Sequence, residues 1–249
     1  MKAWTLRQLW LRCRRSRGRL LLPVVAVAAG LFILVPSKPS SAVGKCKSEA
    51  AQGVDWSQCK KRLLMLNGSV FDGANLSGVD FGMTDLSGSS LKSANLTKAS
   101  LMRASLARSD ATGANFEKTE GHRADFSGIR ADRAIFLSAE IQRANFTGAQ
   151  LHGVDFTKAE LGRAIFYKAE IGDTRFSMTN LSRATFHNAT FDGPVDFDNA
   201  FMFLTRIEGL DLTKATGLKQ DQVALACGDQ HTKLPQGLSV PDSWPCDDD

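Results

Sequence analysis

No aspartate or glutamate precedes Glu49, although the first nineteen residues alone hold seven basic ones (Lys2, Arg7, Arg12, Arg14, Arg15, Arg17 and Arg19). With Lys38 the first 42 residues hold eight of the 31 basic residues, so the rest carries 31 − 8 = 23 against 26 acids, a net of −3. The basic balance of the whole chain therefore belongs to its beginning and gives the body no argument for binding nucleic acid. Charged residues make up 23% of the chain, which fits neither a disordered chain nor a membrane protein with many spans.

The basic lead runs into Leu20–Val35, sixteen uncharged and mostly apolar residues. That is longer than most signal-peptide cores and shorter than the roughly 20 residues that span a bilayer comfortably. Ser40-Ser41-Ala42 offers small residues for cleavage after Ala42, whereas the nineteen-residue basic lead suits an uncleaved anchor with a cytoplasmic N-terminus. No lipobox cysteine follows, and Arg14-Arg15-Ser16-Arg17 matches a twin-arginine signal weakly. Either outcome places the body in the periplasm, anchored to the inner membrane or released. Cys13 lies in the lead, and four cysteines remain. Cys46 and Cys59 stand just before a long repeat, Cys227 and Cys246 just after it. Local closures Cys46–Cys59 and Cys227–Cys246 are expected, each contributing roughly 3 kcal/mol when oxidised. A zinc site is the rival, but the C-x₂₋₄-C spacing and a histidine cluster are missing.

The repeat has a period of five. From Phe71 to Phe191 the 25 positions hold eleven Phe, nine Leu, two Ile, two Ala (Ala111, Ala131) and Gly121. Two residues earlier, from Ser69 to Ala189, stand fifteen Ala, four Thr, three Ser, two Val and one Ile. Asn or Asp often lies between, as in Ala74-Asn75-Leu76 and Ala144-Asn145-Phe146. An α-helix would rotate this pattern by about 140° per repeat, and a flat strand would alternate it between faces. The chain must turn within each unit, as in a solenoid. Phe recurs every ten residues from Phe116 to Phe186, and Arg every twenty at Arg103, Arg123, Arg143, Arg163 and Arg183. Four units per coil satisfy both spacings.

With its A(D/N)Lxx units the sequence resembles the pentapeptide-repeat proteins over roughly Val54 to Thr216. The resemblance implies an all-β, right-handed quadrilateral β-helix, here with an N-terminal membrane or signal helix and a small C-terminal cap. The expected divisions are 1–42 (lead and signal peptide or anchor), 43–63 (N-terminal cap and irregular first coil), 64–216 (β-helix) and 217–249 (helix and tail). The run Cys227-Gly228-Asp229, Leu234-Pro235 and Trp244-Pro245-Cys246 resembles the tails of exported proteobacterial members. Lys61 takes a large apolar position, so the first coil is expected to be irregular and built around Trp56. The frame slips by one near Gly193-Pro194 and continues at Phe197, Met202, Ile207 and Leu212, which reads as a bulge. A short helix is expected from Gln220 to Ala226, ended by Gly228.

Catalytic constellations are missing. His122, His152, His187 and His231 fall at different coil positions, no cysteine outside the ends is placed to act as a nucleophile, and no glycine-rich phosphate loop precedes a helix. The reading is a non-enzymatic protein with no cofactor and no metal. Two readings of the arginine column stay open: an exposed ion-pair network with Glu120, Glu140 and Glu160, or a ribbon for an anionic partner or envelope polymer, supported by Lys98, Lys118 and Lys158. In the slipped frame Phe201, Phe203 and Leu204 face outward together, to be covered by the tail from Leu234 to Trp244 or by a second copy. The leading expectation is a scaffold or protein–protein interaction module of the cell envelope, with an unknown protein or polymer as partner, a membrane attachment through Leu20–Val35 if uncleaved, and a possible homodimer through the C-terminal end. The alternative is a polymer-binding protein using the arginine ribbon. A more distant one, a gyrase-interacting mimic of duplex DNA, is disfavoured by export and by the basic column.

Overall fold

The computed structural model describes residues 44–246; Cys13, Leu20–Val35 and the cleavage position after Ala42 lie outside them. Among the described residues no helix is long and apolar enough to cross a membrane.

One unit, Phe146–Gln150, shows how five residues make one side of a coil. Phe146 N–H donates to the Ile165 carbonyl at 2.7 Å and Gly148 N–H to the Tyr167 carbonyl at 2.8 Å, both on the next coil. Ala149 N–H closes the corner on the Phe146 carbonyl at 3.1 Å, and Gln150 N–H reaches back to the Ile129 carbonyl at 2.9 Å. Thr147 N–H, the fifth donor, is met by Asn145 Oδ1 at 3.0 Å. Every backbone donor of the unit is thereby satisfied, which a packed backbone requires. The last bond explains the Asn/Asp of the motif. Asp80, Asp85, Asn95, Asp110 and Asp125 make the same bond to Gly82, Ser87, Thr97, Thr112 and Ser127.

The corner has a second requirement. Every fifth residue from Gly53 to Asn188 has a positive φ, and at most corners the bond back from the following residue closes a type II turn. Four such corners close a coil, so residues twenty apart meet in parallel bridges, as in Asp55↔Asn75, Asn75↔Asn95 and Asn95↔Asn115. The result is a right-handed, four-sided β-helix. Longer strands appear only toward its end: β1 (Gln150–His152), β2 (Glu170–Gly172) and β4 (Thr190–Phe191) form one parallel sheet. β3 (Thr174–Arg175), β5 (Val195–Asp196) and β6 (Ala215–Thr216) form another.

The large residues fill the interior. Phe126, Phe146 and Phe166 stack with centroids 4.8 and 5.1 Å apart, and Phe136 and Phe156 meet Phe146 edge-on at 5.9 and 5.7 Å. Parallel stacking within a wall and edge contacts across the coil suit the ring quadrupole. Where Thr replaces the inward Ala, its hydroxyl is satisfied: Thr179 Oγ1 donates to the Phe156 carbonyl at 2.7 Å and Thr205 Oγ1 to that of Leu181 at 2.9 Å. A Cβ on Gly121 would lie 2.8 Å from Ile141 Cγ2, so the wall leaves no room for one there.

The register changes where the sequence slips. Ile165 bridges Thr185 twenty residues on, but Thr174 pairs with Val195 and Asn180 with Phe201, twenty-one on. The extra residue is taken up around Gly193-Pro194, and Phe197, Met202, Ile207 and Leu212 remain buried beyond it. Helix α1 (Gln220–Leu225) follows, with Gln222 Nε2 donating to the Phe197 and Ala200 carbonyls at 2.9 Å. In the tail, Trp244 lies against Gly228, where a Cβ would sit 2.3 Å from its ring, and Trp244 Nε1 donates to the Ala226 carbonyl at 2.7 Å. In the first coil the Lys61 ammonium stands 3.6 Å from the Trp56 ring centroid.

This packing makes the interior sensitive in a patterned way. Phe146→Ala should lower the unfolding free energy by about 3–5 kcal/mol, since the walls cannot collapse into the gap. Asn145→Ala, which orphans Thr147 N–H, should cost about 1 kcal/mol, and Thr147→Ala less than that. Denaturant melts of the three variants check the order, and equal losses at 146 and 147 would refute it.

Candidate functional site

The left-handed corner positions decide where long side chains emerge. Arg103, Arg123, Arg143, Arg163 and Arg183 all occupy such positions, with φ between 54° and 60°. Arg123 N–H donates to the Gln142 carbonyl at 3.0 Å and Arg143 N–H to that of Gly162 at 2.9 Å, so the coil ladder fixes each backbone. All five side chains are exposed, on backbones about 4.8 Å apart. Lys98, Lys118 and Lys158 hold the preceding corner. Between the two corners runs the side that carries Glu120, Glu140 and Glu160, bridged in register.

Of the two readings of the column, the ion-pair network is not seen at four of its arginines. Among the described residues no carboxylate lies within 4.0 Å of the guanidinium of Arg103, Arg123, Arg143 or Arg163. Glu160 accepts instead from Asn180 Nδ2 at 2.8 Å, and Lys118 pairs with Glu117 at 2.8 Å. Acid and base stand on different parts of the coil, the glutamates within a side and the arginines at its corner.

Phe201 and Phe203 also emerge. They are 50% and 42% exposed, with rings 6.3 Å apart and nearly parallel. Leu204 is half-buried, and its N–H donates to the Leu225 carbonyl at 2.8 Å. The tail is not their cover. Leu234 and Trp244 pack against the core, and the hollow of about 230 Å³ beside Phe201 is walled by Asn199, Lys219, Asp221 and Leu225. The Cys227–Cys246 bond and the Trp244–Gly228 contact hold the tail elsewhere.

Both cysteine pairs are at bonding distance, Cys46 to Cys59 at 1.97 Å and Cys227 to Cys246 at 2.11 Å. Among the histidines, His122 and His187 stand at outward turn positions and His231 in the tail. His152 is different. Its Nδ1 lies 3.1 Å from Asp132 Oδ1 and its Nε2 3.0 Å from Asp192 Oδ2, so one imidazole ties three coils. The reach to Asp192 crosses Gly172, where a Cβ would lie 2.2 Å from Asp192 Oδ1 and 3.1 Å from the imidazole. Burial disfavours the imidazolium, but hydrogen bonds and charge from Asp192 and Asp132 outweigh it and raise the pKa above 6.5. Reading the histidines singly misses this clamp; the column Asp132, His152, Gly172, Asp192, twenty residues apart, is the signal that reveals it. Among the described residues no group of three metal-ligating side chains is placed to hold a cation.

The family model for pentapeptide repeats matches residues 69–106, 99–136 and 144–182, with eight copies. No curated protein matches the sequence significantly. Among solved structures the chain is similar to a trypsin-treated form of QnrB1, a plasmid-mediated fluoroquinolone resistance protein, at 19% identity over 76% of this chain and 87% of that one, with a TM-score of 0.37. It is also similar to HetL, involved in heterocyst differentiation regulation in the cyanobacterium Nostoc sp. strain PCC 7120, at 19% identity over 78% and 87%, TM-score 0.28. A pentapeptide repeat protein of the Arabidopsis thaliana thylakoid lumen shares 28% identity over 48% of this chain and 77% of its own, TM-score 0.24.

The His152 clamp carries a pH dependence of definite sign. A raised folded-state pKa means that the charged clamp stabilises the fold fully below about pH 6.5 and loses that contribution as pH rises through the folded value. Melting temperatures from about pH 5 to about pH 9 should therefore show His152→Gln most damaging at the acidic end and converging on the wild type at the alkaline end. Parallel curves would show the clamp uncharged.

Proposed function

We propose that the protein, whose repeat segment matches the family model for pentapeptide repeats, is a non-enzymatic scaffold or protein–protein interaction module of the bacterial cell envelope. The observation that carries this reading is the stacked, exposed pair Phe201 and Phe203 on an otherwise satisfied coil. Aromatic side chains left bare on a rigid parallel ladder make a preformed anchor for a partner or a second copy. Export supports the envelope part: the basic lead, the apolar run Leu20–Val35 and four cysteines paired at the two ends of the repeat all suit an oxidising compartment. The tail from Cys227 to Cys246, which resembles that of exported proteobacterial members, gives the same indication.

A second reading rests on its own observation. The guanidinium groups of Arg103, Arg123, Arg143 and Arg163 stand exposed in one column without a carboxylate within 4.0 Å, a geometry suited to an extended anion such as an envelope polymer. The duplex-DNA mimic reading has no comparable acidic column to rest on, since Glu120, Glu140 and Glu160 are flanked on both sides by bases.

Two experiments test these readings. A C-terminal alkaline phosphatase fusion should be active in cells; an inactive fusion would place the body in the cytoplasm and remove the envelope. Capture from envelope extracts should fail with the Phe201→Ser/Phe203→Ser double variant and persist with Arg143→Glu/Arg163→Glu. The opposite pattern, with capture lost at raised ionic strength, makes the arginine column the binding surface.

A further inference from the structure

The first coil is finished on one side only. Gly44 and Lys45 add their N–H groups to the carbonyls of Ser57 and Asp55 at 2.8 and 2.7 Å, extending the ladder over that edge. On the other three sides Lys60, Met65 and Val70 bridge forward to Asp80, Asp85 and Ser90, and among the described residues no coil stands before them. The equivalent donors one coil later, of Asp80, Asp85 and Ser90, reach back to Cys59, Leu64 and Ser69. The open edge carries the most exposed apolar side chains of the described residues, Met65 at 76% and Leu63 at 68%. Leu64, an inward type of position, is also exposed for want of a coil above it.

The same edge is basic. Gly44–Met65 holds Lys45, Lys47, Lys60, Lys61 and Arg62 against Glu49 and Asp55, a net of 5 − 2 = +3 in a body whose overall balance is negative. Arg62 is partly balanced by Asp80 at 3.5 Å, and Lys61 lies over Trp56; Lys45, Lys47 and Lys60 are exposed. Exposed apolar side chains on a basic first coil, with backbone donors that no described residue meets, match one kind of partner. A head-to-head second copy would press like charges together. An anionic lipid surface offers acyl-chain contact for Leu63 and Met65, and phosphate oxygens for the lysines and open N–H groups. The chain length agrees: eight residues separate Val35 from Gly44, at most about 28 Å when extended.

We infer that the open first coil, Lys60 to Met65, rests on an anionic membrane surface and so stands the coil stack with its aromatic C-terminal patch facing away from the bilayer. The inference rests on the reading of Leu20–Val35 as an uncleaved anchor, and the experiment separates the two. Full-length protein in a Cys13→Ser background carries a single bimane label at Met65→Cys or, as control, at the exposed Met178→Cys. It is reconstituted into phosphatidylcholine vesicles with or without phosphatidylglycerol, each doped with headgroup-level nitroxide lipid. Flotation reports the anchor, and quenching reports the contact. Protein that floats, with quenching several-fold stronger at 65 than at 178, dependent on phosphatidylglycerol and lost with Lys60→Glu/Arg62→Glu, is the expected result. Floating protein with equal quenching at both positions overturns the inference and leaves the anchor standing. Protein that does not float overturns both. Shielding of position 65 without nitroxide quenching assigns the edge to a protein neighbour and also overturns it.

Discussion

A left-handed turn every five residues is the constraint from which the rest of this structure follows. Placing a residue with a side chain there costs on the order of 1 kcal/mol, and most corners between Gly53 and Asn188 are not glycine. The cost is tolerated because the same turn lets the N–H groups of the corner residue and of the large residue two before it enter the ladder to the next coil, and brings the next large residue onto the interior wall. Removing the turn would break the period of twenty, and with it the phenylalanine stacks and the asparagine and aspartate caps together. Stability is therefore spread along the stack in repeated small contributions, each coupled mainly to its neighbours.

That coupling also explains where irregularity is permitted. The extra residue near Gly193-Pro194 shifts the register from twenty to twenty-one without exposing Phe197 or Met202, because each coil needs only its neighbour to shift with it. Proline suits such a point, having no N–H to place in the ladder. The His152 clamp lies beside the slip, joining Asp132 of the regular part to Asp192 at its threshold. One ionisable group thus braces the site where the ladder changes spacing.

The coil was legible in the residues because its period is strict. Phe146 and its counterparts mark the interior, and the ten-residue alternation from Phe116 to Phe186 places the two walls. The slip at Gly193-Pro194 was legible for the same reason. What escaped depends on distances that periodicity does not contain. Glu140 and Arg143 share a side and a corner three residues apart, which suggests a pair on paper, yet no pair forms. The clamp spans forty residues through a missing Cβ at Gly172, a contact that no single repeat displays. Phe201 and Phe203 were seen to face outward, but the tail's position follows from Trp244 settling on Gly228, a contact outside the repeat.

One corner column gathers these features into a single surface. It begins with Leu63 and Met83, continues as Arg103, Arg123, Arg143, Arg163 and Arg183, and ends at Leu204 beside Phe203. A corner position tolerates any long side chain, because the backbone ladder and the interior do not use it. Its composition is thus free of the fold's own demands, and in this column it divides into apolar, basic and apolar zones rather than mixing. Elsewhere the corners are mostly glycine or small polar residues, as at Gly68, Gly88, Gly128 and Gly148. A column that the fold leaves unconstrained and that still sorts its side chains by chemistry is the place where the proposed contacts meet: the inferred lipid contact at the open first coil and the proposed apolar partner at the aromatic end, with the arginines between them as the surface of the second reading.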